Sequence, residues 1–276
     1  MASERGYKIG GVQFNISSPE HKEAEYFAPF RSEGKADEVF NFRFENNITA
    51  PDAPLEREYY NNRFYGNEWT LKGDDGLLMK CSRNGNVTEV EFDSAHPSYF
   101  GDHVVLKALR LPELMLYYGG VFLHASYIIF RGRAILFTAQ KQVGKSTQAA
   151  LWEEHMGAEV INGDRALIRC VDGEWRAFGS PYCGTSRICK NADAGIAAIV
   201  ILGQAEENSL RRAKPNEALA ALMSGISYDT QSKRSTEKCL DICGKLIEAV
   251  PFYKLDCVPE KSAVEALYKE IEHGRI

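Results

Sequence analysis

The feature that most constrains this chain is an apolar strand that runs directly into a loop containing glycine and lysine. The strand is Ala134 to Thr138, and a helical stretch begins near Lys145. The loop contains Ala139, Gln140, Lys141, Gln142, Val143, Gly144, Lys145, Ser146 and Thr147, with Ala139 where glycine usually stands. Backbone N–H groups of such a loop curl around phosphate oxygens, and the positive end of the helix dipole reinforces them. The chain is therefore expected to contain a phosphate-binding loop, or P-loop, within an α/β fold.

Two side chains of the loop have separate roles in that expectation. The Lys145 ammonium would lie on the terminal phosphates, and the Ser146 hydroxyl would coordinate Mg²⁺. A helical stretch that Gly157 caps follows the loop, and a strand at 158–161 then leads to Asp164. A parallel neighbouring strand would deliver Asp164 to the same sheet edge as a second metal ligand. The alternative is that the lysine belongs to an ordinary turn of a β-α-β unit.

Composition excludes several classes of protein. A chain of 276 residues with 44% hydrophobic and 26% charged residues is ordinary for a soluble globular protein. The net charge of −5 gives no basic footprint for nucleic acid, and the cysteines include no Cys-x-x-Cys pair for a metal. Residues 114–130 lack charge, but the pair Gly119-Gly120 favours a buried helix, turn and strand over a membrane span. The polar beginning of the chain predicts a cytoplasmic location.

The chain divides by its patterns into two predicted domains. Residues 1–100 show short alternating runs and turn signals such as Asn84-Gly85, which predict an antiparallel, β-rich N-terminal module. Its aromatic residues are predicted to pack in a core or half-buried face, with a peptide groove as the alternative: Tyr59, Tyr60, Phe64 and Tyr65. Residues 101–276 are predicted to form an α/β domain. Its predicted helices lie at 104–118, with a break or restart at Pro112, and at 215–226, 236–250 and 260–271, and its predicted strands lie at 125–130, 165–171, 195–203 and 252–258.

The order of motifs in the second domain resembles a known family. His124-Ala125-Ser126, strand, turn, strand, P-loop, helix, strand and Asp164-Arg165 resemble the catalytic domain of HPr kinase/phosphorylase over residues 118–205. The resemblance implies a fold related to phosphoenolpyruvate carboxykinase, with the P-loop in a mixed sheet flanked by helices. The stretch 179–184 is similar to a segment of a divergent branch that includes kinases encoded with ribosomal-peptide biosynthesis, such as lasso-peptide kinases.

The resemblance also implies roles for individual residues. His124 matches the active-site histidine of the family, and Lys145 and Ser146 match the P-loop lysine and the metal-binding serine. Asp164 matches one carboxylate of a paired Asp-Asp, whereas the other position is Gly163. In the family this pair divides metal binding and activation of the acceptor hydroxyl, so the general base here is left open between His124 and Asp164.

These observations predict a kinase that uses ATP and Mg²⁺ and phosphorylates a hydroxyl, preferably serine, of a peptide or small protein. A serine hydroxyl needs a base, and phosphoryl transfer otherwise needs positioning and charge neutralisation. The alternatives are a small-molecule kinase on the same scaffold and a nucleotide-binding regulatory module without transferase activity. No nucleic-acid or membrane partner is expected, and a homo-oligomer is left open.

Overall fold

A computed structural model describes residues 3–19, 25–74, 76–95, 102–140 and 142–273. The chain divides into two compact units, Met1–Leu114 and Met115–Ile276. In the described ranges, two mixed sheets and six α-helices make it a mixed α/β protein, as the sequence predicts at this level. The division into domains at residue 100 stays a prediction. No helix within the described ranges is long and apolar enough to cross a membrane.

The N-terminal unit is built on one eight-stranded sheet. Its strands are β1 (Ser3–Ile9), β2 (Val12–Ser18), β3 (Glu38–Glu45), β4 (Arg57–Tyr59), β5 (Asn62–Tyr65), β6 (Glu68–Lys72), β7 (Leu77–Asn84) and β8 (Val87–Asp93). The expected antiparallel pairing is wrong at the centre, because β3 runs parallel to both β2 and β8. Non-adjacent strands meet there, and alternation within a strand carries no information on such pairing. Phe64 and Tyr65 are buried as predicted, whereas Tyr60 is exposed.

The α-helices of the described ranges all follow β8 in the chain. They are α1 (Asp102–Leu109), α2 (Leu111–Tyr117), α3 (Lys145–Met156), α4 (Pro215–Gly225), α5 (Lys233–Ala249) and α6 (Lys261–His273). The predicted helix at 104–118 is interrupted at Arg110, whose φ of 46° lies in the left-handed region. The other predicted helices are present with boundaries shifted by a few residues.

The C-terminal unit contains a nine-stranded mixed sheet. Its strands are β9 (Gly120–Phe130), β10 (Arg133–Thr138), β11 (Glu159–Asn162), β12 (Arg165–Val171), β13 (Glu174–Phe178), β14 (Asp193–Gln204), β15 (Ser209–Arg212), β16 (Ile226–Ser227) and β17 (Phe252–Cys257). The first half of β9 pairs with β12, and the second half pairs with β10 and β11. β14 runs parallel to β10 and β17.

The structure corrects two predictions about the strands near the P-loop. β9 begins at Gly120 instead of residue 125, so His124 lies inside a long strand. β11 is not the parallel neighbour of β10: both are antiparallel to β9, which lies between them. β11 nevertheless runs in the same direction as β10, and its end therefore still carries Asp164 toward the end of the sheet where β10 enters the loop.

Helices cover both faces of this sheet. Alternate residues of β10 point to opposite faces, so Leu136 packs with the buried side chains of α4 and α5. Phe137 packs on the other face with Trp152 of α3 and Leu267 of α6. α3 is therefore fixed against the sheet by a fully buried tryptophan, and its first turn is held beside the end of β10.

Candidate functional site

The predicted P-loop connects β10 to α3. The helix begins at Lys145 directly after Gly144, whose φ of 112° is strained for any residue with a Cβ atom. At its other end the helix is capped by Gly157, as predicted, with the Ala158 N–H donating to the carbonyl of Trp152. Lys141 lies outside the described residues. On the described residues, the connection therefore runs from a strand through a left-handed glycine into a helix, and its binding of phosphate stays a prediction.

Lys145 is the most constrained residue of the loop. It is only 8% exposed. Its ammonium nitrogen donates to the carbonyl oxygens of Ala139 and Gln140, each at 3.3 Å. Burial lowers the pKa of the ammonium, although the negative charge of Asp164 opposes that effect. A nearly buried cation that is held by two neutral carbonyls is suited to receive an anion.

The other loop residues are arranged around this lysine. Ser146 and Thr147 are exposed in the first turn of α3, and Val143 is half-buried against the core. The carbonyl of Gln142 accepts from Nε2 of Gln204 at 3.5 Å. Within the described residues no hydrogen bond or ion pair joins Ser146 to the other predicted metal ligand, Asp164.

His124 and Asp164 form a contact that the strand register creates. His124 pairs with Arg165 across β9 and β12, which places Asp164 beside the imidazole. Nδ1 of His124 lies 3.0 Å from the Asp164 carbonyl oxygen and 3.3 Å from its Oδ1. Both neighbours are acceptors, so in the neutral ring Nδ1 carries the proton and Nε2 has the free lone pair. The histidine is thereby prepared to accept a proton at Nε2.

The Asp164 carboxylate lies among His124, Arg165 and Lys145. Burial raises the pKa of its carboxyl, but the hydrogen bond with His124 and the electrostatic interactions with Arg165, His124 and Lys145 outweigh burial. The net pKa lies below its ordinary value, so the group is an anion at neutral pH. Its Oδ2 is 3.5 Å from Nε of Arg165. The structure thus brings His124, Asp164 and Lys145 into one cluster.

Gly163 stands beside this carboxylate without room for a side chain. A Cβ atom at this position would lie 2.1 Å from Oγ and 2.7 Å from Cβ of Ser186. Gly184 packs in the same way on Asp164, where an added Cβ would lie 2.8 Å from that residue's own Cβ. The segment that carries Gly184 and Ser186 therefore fills the space of a second carboxylate. The packing around Gly163 thus leaves Asp164 as the single carboxylate at this turn.

Asn162 and Ser180 belong to the site, although no sequence motif singles them out above. Both are fully buried. Oδ1 of Asn162 accepts from the backbone N–H groups of Asp164 and Arg165, each at 2.8 Å, and its Nδ2 donates to the carbonyl of Ser180 at 3.0 Å. The Ser180 hydroxyl donates to the Arg165 carbonyl at 2.7 Å. An Asn followed by Gly-Asp at a strand end is a signal for such a side-chain-capped turn.

Arg165 is held beside Asp164 by polar and aromatic contacts. Its guanidinium donates to the hydroxyl of Ser227 and lies over the ring of Tyr182, with its central carbon 5.6 Å from the ring centroid. The ring of Tyr182 in turn meets that of Phe122 edge to face, at a centroid distance of 5.2 Å. The aromatic and hydroxyl contacts fix the arginine beside Asp164.

The oxygen donors of the cluster fit Mg²⁺ with a nucleotide. Asp164 supplies one carboxylate and Ser146 one hydroxyl, which are hard ligands of the kind Mg²⁺ takes together with phosphates and water. Among the described residues, no group of three His, Cys, Asp or Glu side chains could hold a metal by itself. Phosphate oxygens would therefore have to complete the coordination.

A separate cleft of about 330 Å³ lies between the start of α4 and the end of α5. Its walls include Arg212, Pro215, Ile247 and Phe252, and none of the predicted site residues lines it. The cluster is the stronger candidate site, because the cleft is lined mostly by apolar residues and combines no histidine, lysine and carboxylate in contact.

Comparisons with known proteins place few constraints on this chain. No protein-family model matches it, and no curated protein matches it. Among solved structures it is similar to an HPr(Ser) kinase/phosphatase from Coxiella burnetii, with a TM-score of 0.35 and 12% sequence identity. The match covers 55% of this chain and 97% of that one. This similarity is too limited to assign a fold or an activity to this chain. The function therefore has to be inferred from the residues of the chain itself.

Proposed function

We propose that this protein is an ATP- and Mg²⁺-dependent kinase that phosphorylates a hydroxyl, preferably a serine of a peptide or small protein. One observation carries the proposal: the nearly buried Lys145 lies within electrostatic reach of Asp164, which is hydrogen-bonded to His124. A phosphate-binding cation, a carboxylate and a candidate base in one cluster are the groups that phosphoryl transfer requires.

The phosphate end of the site is the first turn of α3. Backbone N–H groups and the helix dipole favour an anion there, and Lys145 would exchange its two carbonyl contacts for phosphate oxygens. When bound, Mg²⁺ would neutralise charge on the phosphates. Ser146, which follows Lys145 in the chain, and Asp164, which interacts electrostatically with Lys145, would supply the oxygen ligands that hold it.

The acceptor end of the site is His124. Its Nε2 would take the proton of the acceptor hydroxyl while the hydroxyl oxygen forms a bond to the γ-phosphorus. The bond from that phosphorus to the β–γ bridging oxygen breaks, and ADP leaves. Asp164 would hold Nδ1–H and stabilise the imidazolium that forms, which is the role of the carboxylate in Ser-His-Asp sites. This assignment gives proton transfer to His124, and orientation and metal binding to Asp164.

A nucleotide-binding module without transferase activity is the second candidate. The observation that favours it is the space beside Gly163, which Ser186 fills so that no second carboxylate is present. Such a module would use the P-loop and Lys145 for binding alone.

The two candidates differ in what happens to the γ-phosphate. The purified full chain would be incubated with Mg²⁺ and γ-labelled ATP, first in water and then with serine peptides and small hydroxyl compounds, while calorimetry measures nucleotide binding. We expect binding together with label on an acceptor or release of phosphate. Binding without any transfer or hydrolysis would favour the module, and absence of binding would eliminate both candidates.

A further inference from the structure

We propose that Asn162 is a positioning residue for Asp164, and that it acts together with Ser180 through a buried hydrogen-bond network. The inference rests on the proposed function, because it concerns the carboxylate of that site. It is carried by four hydrogen bonds made by the fully buried side chains of Asn162 and Ser180, each with a named donor and acceptor.

The first half of the network holds the turn. The backbone N–H groups of Asp164 and Arg165 follow the end of β11, and the single oxygen Oδ1 of Asn162 accepts from both. These bonds fix the direction in which the chain leaves the strand. They therefore fix the direction of the Asp164 side chain toward His124, since that contact at 3.3 Å depends on the backbone of the turn.

The second half of the network connects the turn to the segment that begins at Ser180. Nδ2 of Asn162 donates to the carbonyl of Ser180, and the Ser180 hydroxyl donates back to the carbonyl of Arg165. The same hydroxyl accepts from the N–H of Tyr182 at 3.3 Å. The chain then continues to Gly184, which packs directly on Asp164. Asn162 thus stabilises the position of Asp164 in two ways: through the backbone of the turn, and through the segment that leads to Gly184.

Only an amide satisfies both halves. Asn offers an acceptor on one side and a donor on the other. A carboxylate at position 162 would keep the acceptor for the two N–H groups but would face the Ser180 carbonyl with a second acceptor. An alanine would remove the side-chain acceptor of the Asp164 and Arg165 N–H groups. The choice of asparagine therefore follows from the geometry of the turn and the segment together.

The kinetic test compares catalysis with nucleotide binding in Asn162→Ala. We expect kcat for ATP hydrolysis, or for transfer to an acceptor, to fall by about 30-fold, because the carboxylate is misdirected. We expect Kd for ATP without Mg²⁺ to stay within about threefold, because the predicted P-loop is untouched. Asn208→Ala is the matched control: Asn208 also accepts a backbone N–H and donates to Ser262, but it lies apart from Asp164. It should leave kcat within about twofold.

A second variant tests the network even if Asn162→Ala folds poorly. Ser180→Ala removes one hydroxyl and should lower kcat by about tenfold. In the double variant the two effects should fall well short of adding, since the two side chains act through one network. Full additivity, or a parallel loss of kcat and of affinity for ATP without Mg²⁺, would overturn the positioning role, and so would kcat within about threefold of the wild type in Asn162→Ala.

Hydrogen exchange tests the network without any activity. In Asn162→Ala the amides of Asp164 and Arg165 should exchange at least about tenfold faster, while the Gln148 amide, which donates to the Gly144 carbonyl in α3, should not change. If the wild type neither hydrolyses ATP nor transfers phosphate, the proposed function fails and the exchange result alone decides the role of Asn162. Unchanged exchange at Asp164 and Arg165 would overturn it.

Discussion

The crowding at Gly163 makes a prediction about stability that is independent of function. In Gly163→Ala the new Cβ would lie 2.1 Å from Oγ and 2.7 Å from Cβ of Ser186. Ordinary carbon contacts lie at about 3.5–4.0 Å, so Ser186 and its backbone have to withdraw by roughly 1 Å. Forcing an atom into a packed region destabilises a protein by about 1–3 kcal/mol, which is the loss in free energy of unfolding that we expect.

The matched control is Gly244→Ala in the exposed face of α5. An added Cβ there meets nothing within 4 Å, so the substitution should stabilise the protein by about 0.5–1 kcal/mol through helix propensity. Urea denaturation followed by tryptophan fluorescence can measure both variants, since Trp152 and Trp175 lie in the C-terminal unit. The contrast in sign separates the crowding at Gly163 from the general effect of replacing glycine.

Removing Ser186 provides the decisive comparison. Ser186→Gly loses the hydroxyl that donates to the Cys183 carbonyl at 2.8 Å and accepts from the Ile188 N–H at 3.3 Å, a loss of about 1 kcal/mol. It also makes the room that Gly163→Ala lacks. The double variant should therefore be more stable than the sum of the single effects by about 1–2 kcal/mol. Additive effects, or wild-type stability in Gly163→Ala, would refute the steric account.

Three further predictions concern the cluster itself. Lys145→Ala should lower turnover of ATP, measured by steady-state kinetics, by at least about a hundredfold. The control Lys190→Ala, which removes an exposed lysine paired with Glu159, should leave turnover within about twofold. Equal turnover in the two variants would contradict the role of Lys145 in phosphate binding. His124→Ala should reduce kcat far more than it weakens MgATP binding, and equal losses measured by kinetics and calorimetry would mark a structural histidine. The lowered pKa of Asp164 means that the unfolded chain binds its proton at higher pH than the folded chain does. Its contribution to stability is therefore present above about pH 4 and is lost as the pH falls through the folded pKa. Asp164→Asn should show a shallower loss of unfolding free energy than the wild type in acid, and identical pH profiles would contradict the assignment.

The local parts of the fold were predictable because their signals are local. The apolar strand before the loop and the glycine at the end of α3 are both present where the sequence predicts them. The pairing of β11 was not predictable in the same way. Its neighbour β9 is separated from it in the chain by a strand and a helix, and the residues of β11 do not encode which strand they will pair with.

In the candidate site, too, local features were predictable from the sequence and tertiary contacts were not. His124, Lys145 and Asp164 are predicted by residue type and order, and the structure brings them together. The roles of Asn162 and Ser186 were not predictable in this way, because they depend on tertiary packing. That packing brings the segment that contains Ser180 and Ser186, about 20 residues further along the chain, against the turn after β11. Short polar strands such as β15 were missed because they lack an apolar run, and a neighbouring strand stabilises them.

The length of β9 limits where insertions and deletions in the sequence can be tolerated. His124 lies near the point where β9 passes from pairing with β12 to pairing with β10 and β11. Side chains alternate between the faces of a sheet, so the deletion of one residue between His124 and the turn at Arg131 would turn the imidazole away from Asp164 or break the ladder beyond it. The turn itself, at Arg131 and Gly132, is exposed and can lengthen without moving either strand. Insertions and deletions in homologues should therefore accumulate at this turn and be absent from the strand that precedes it.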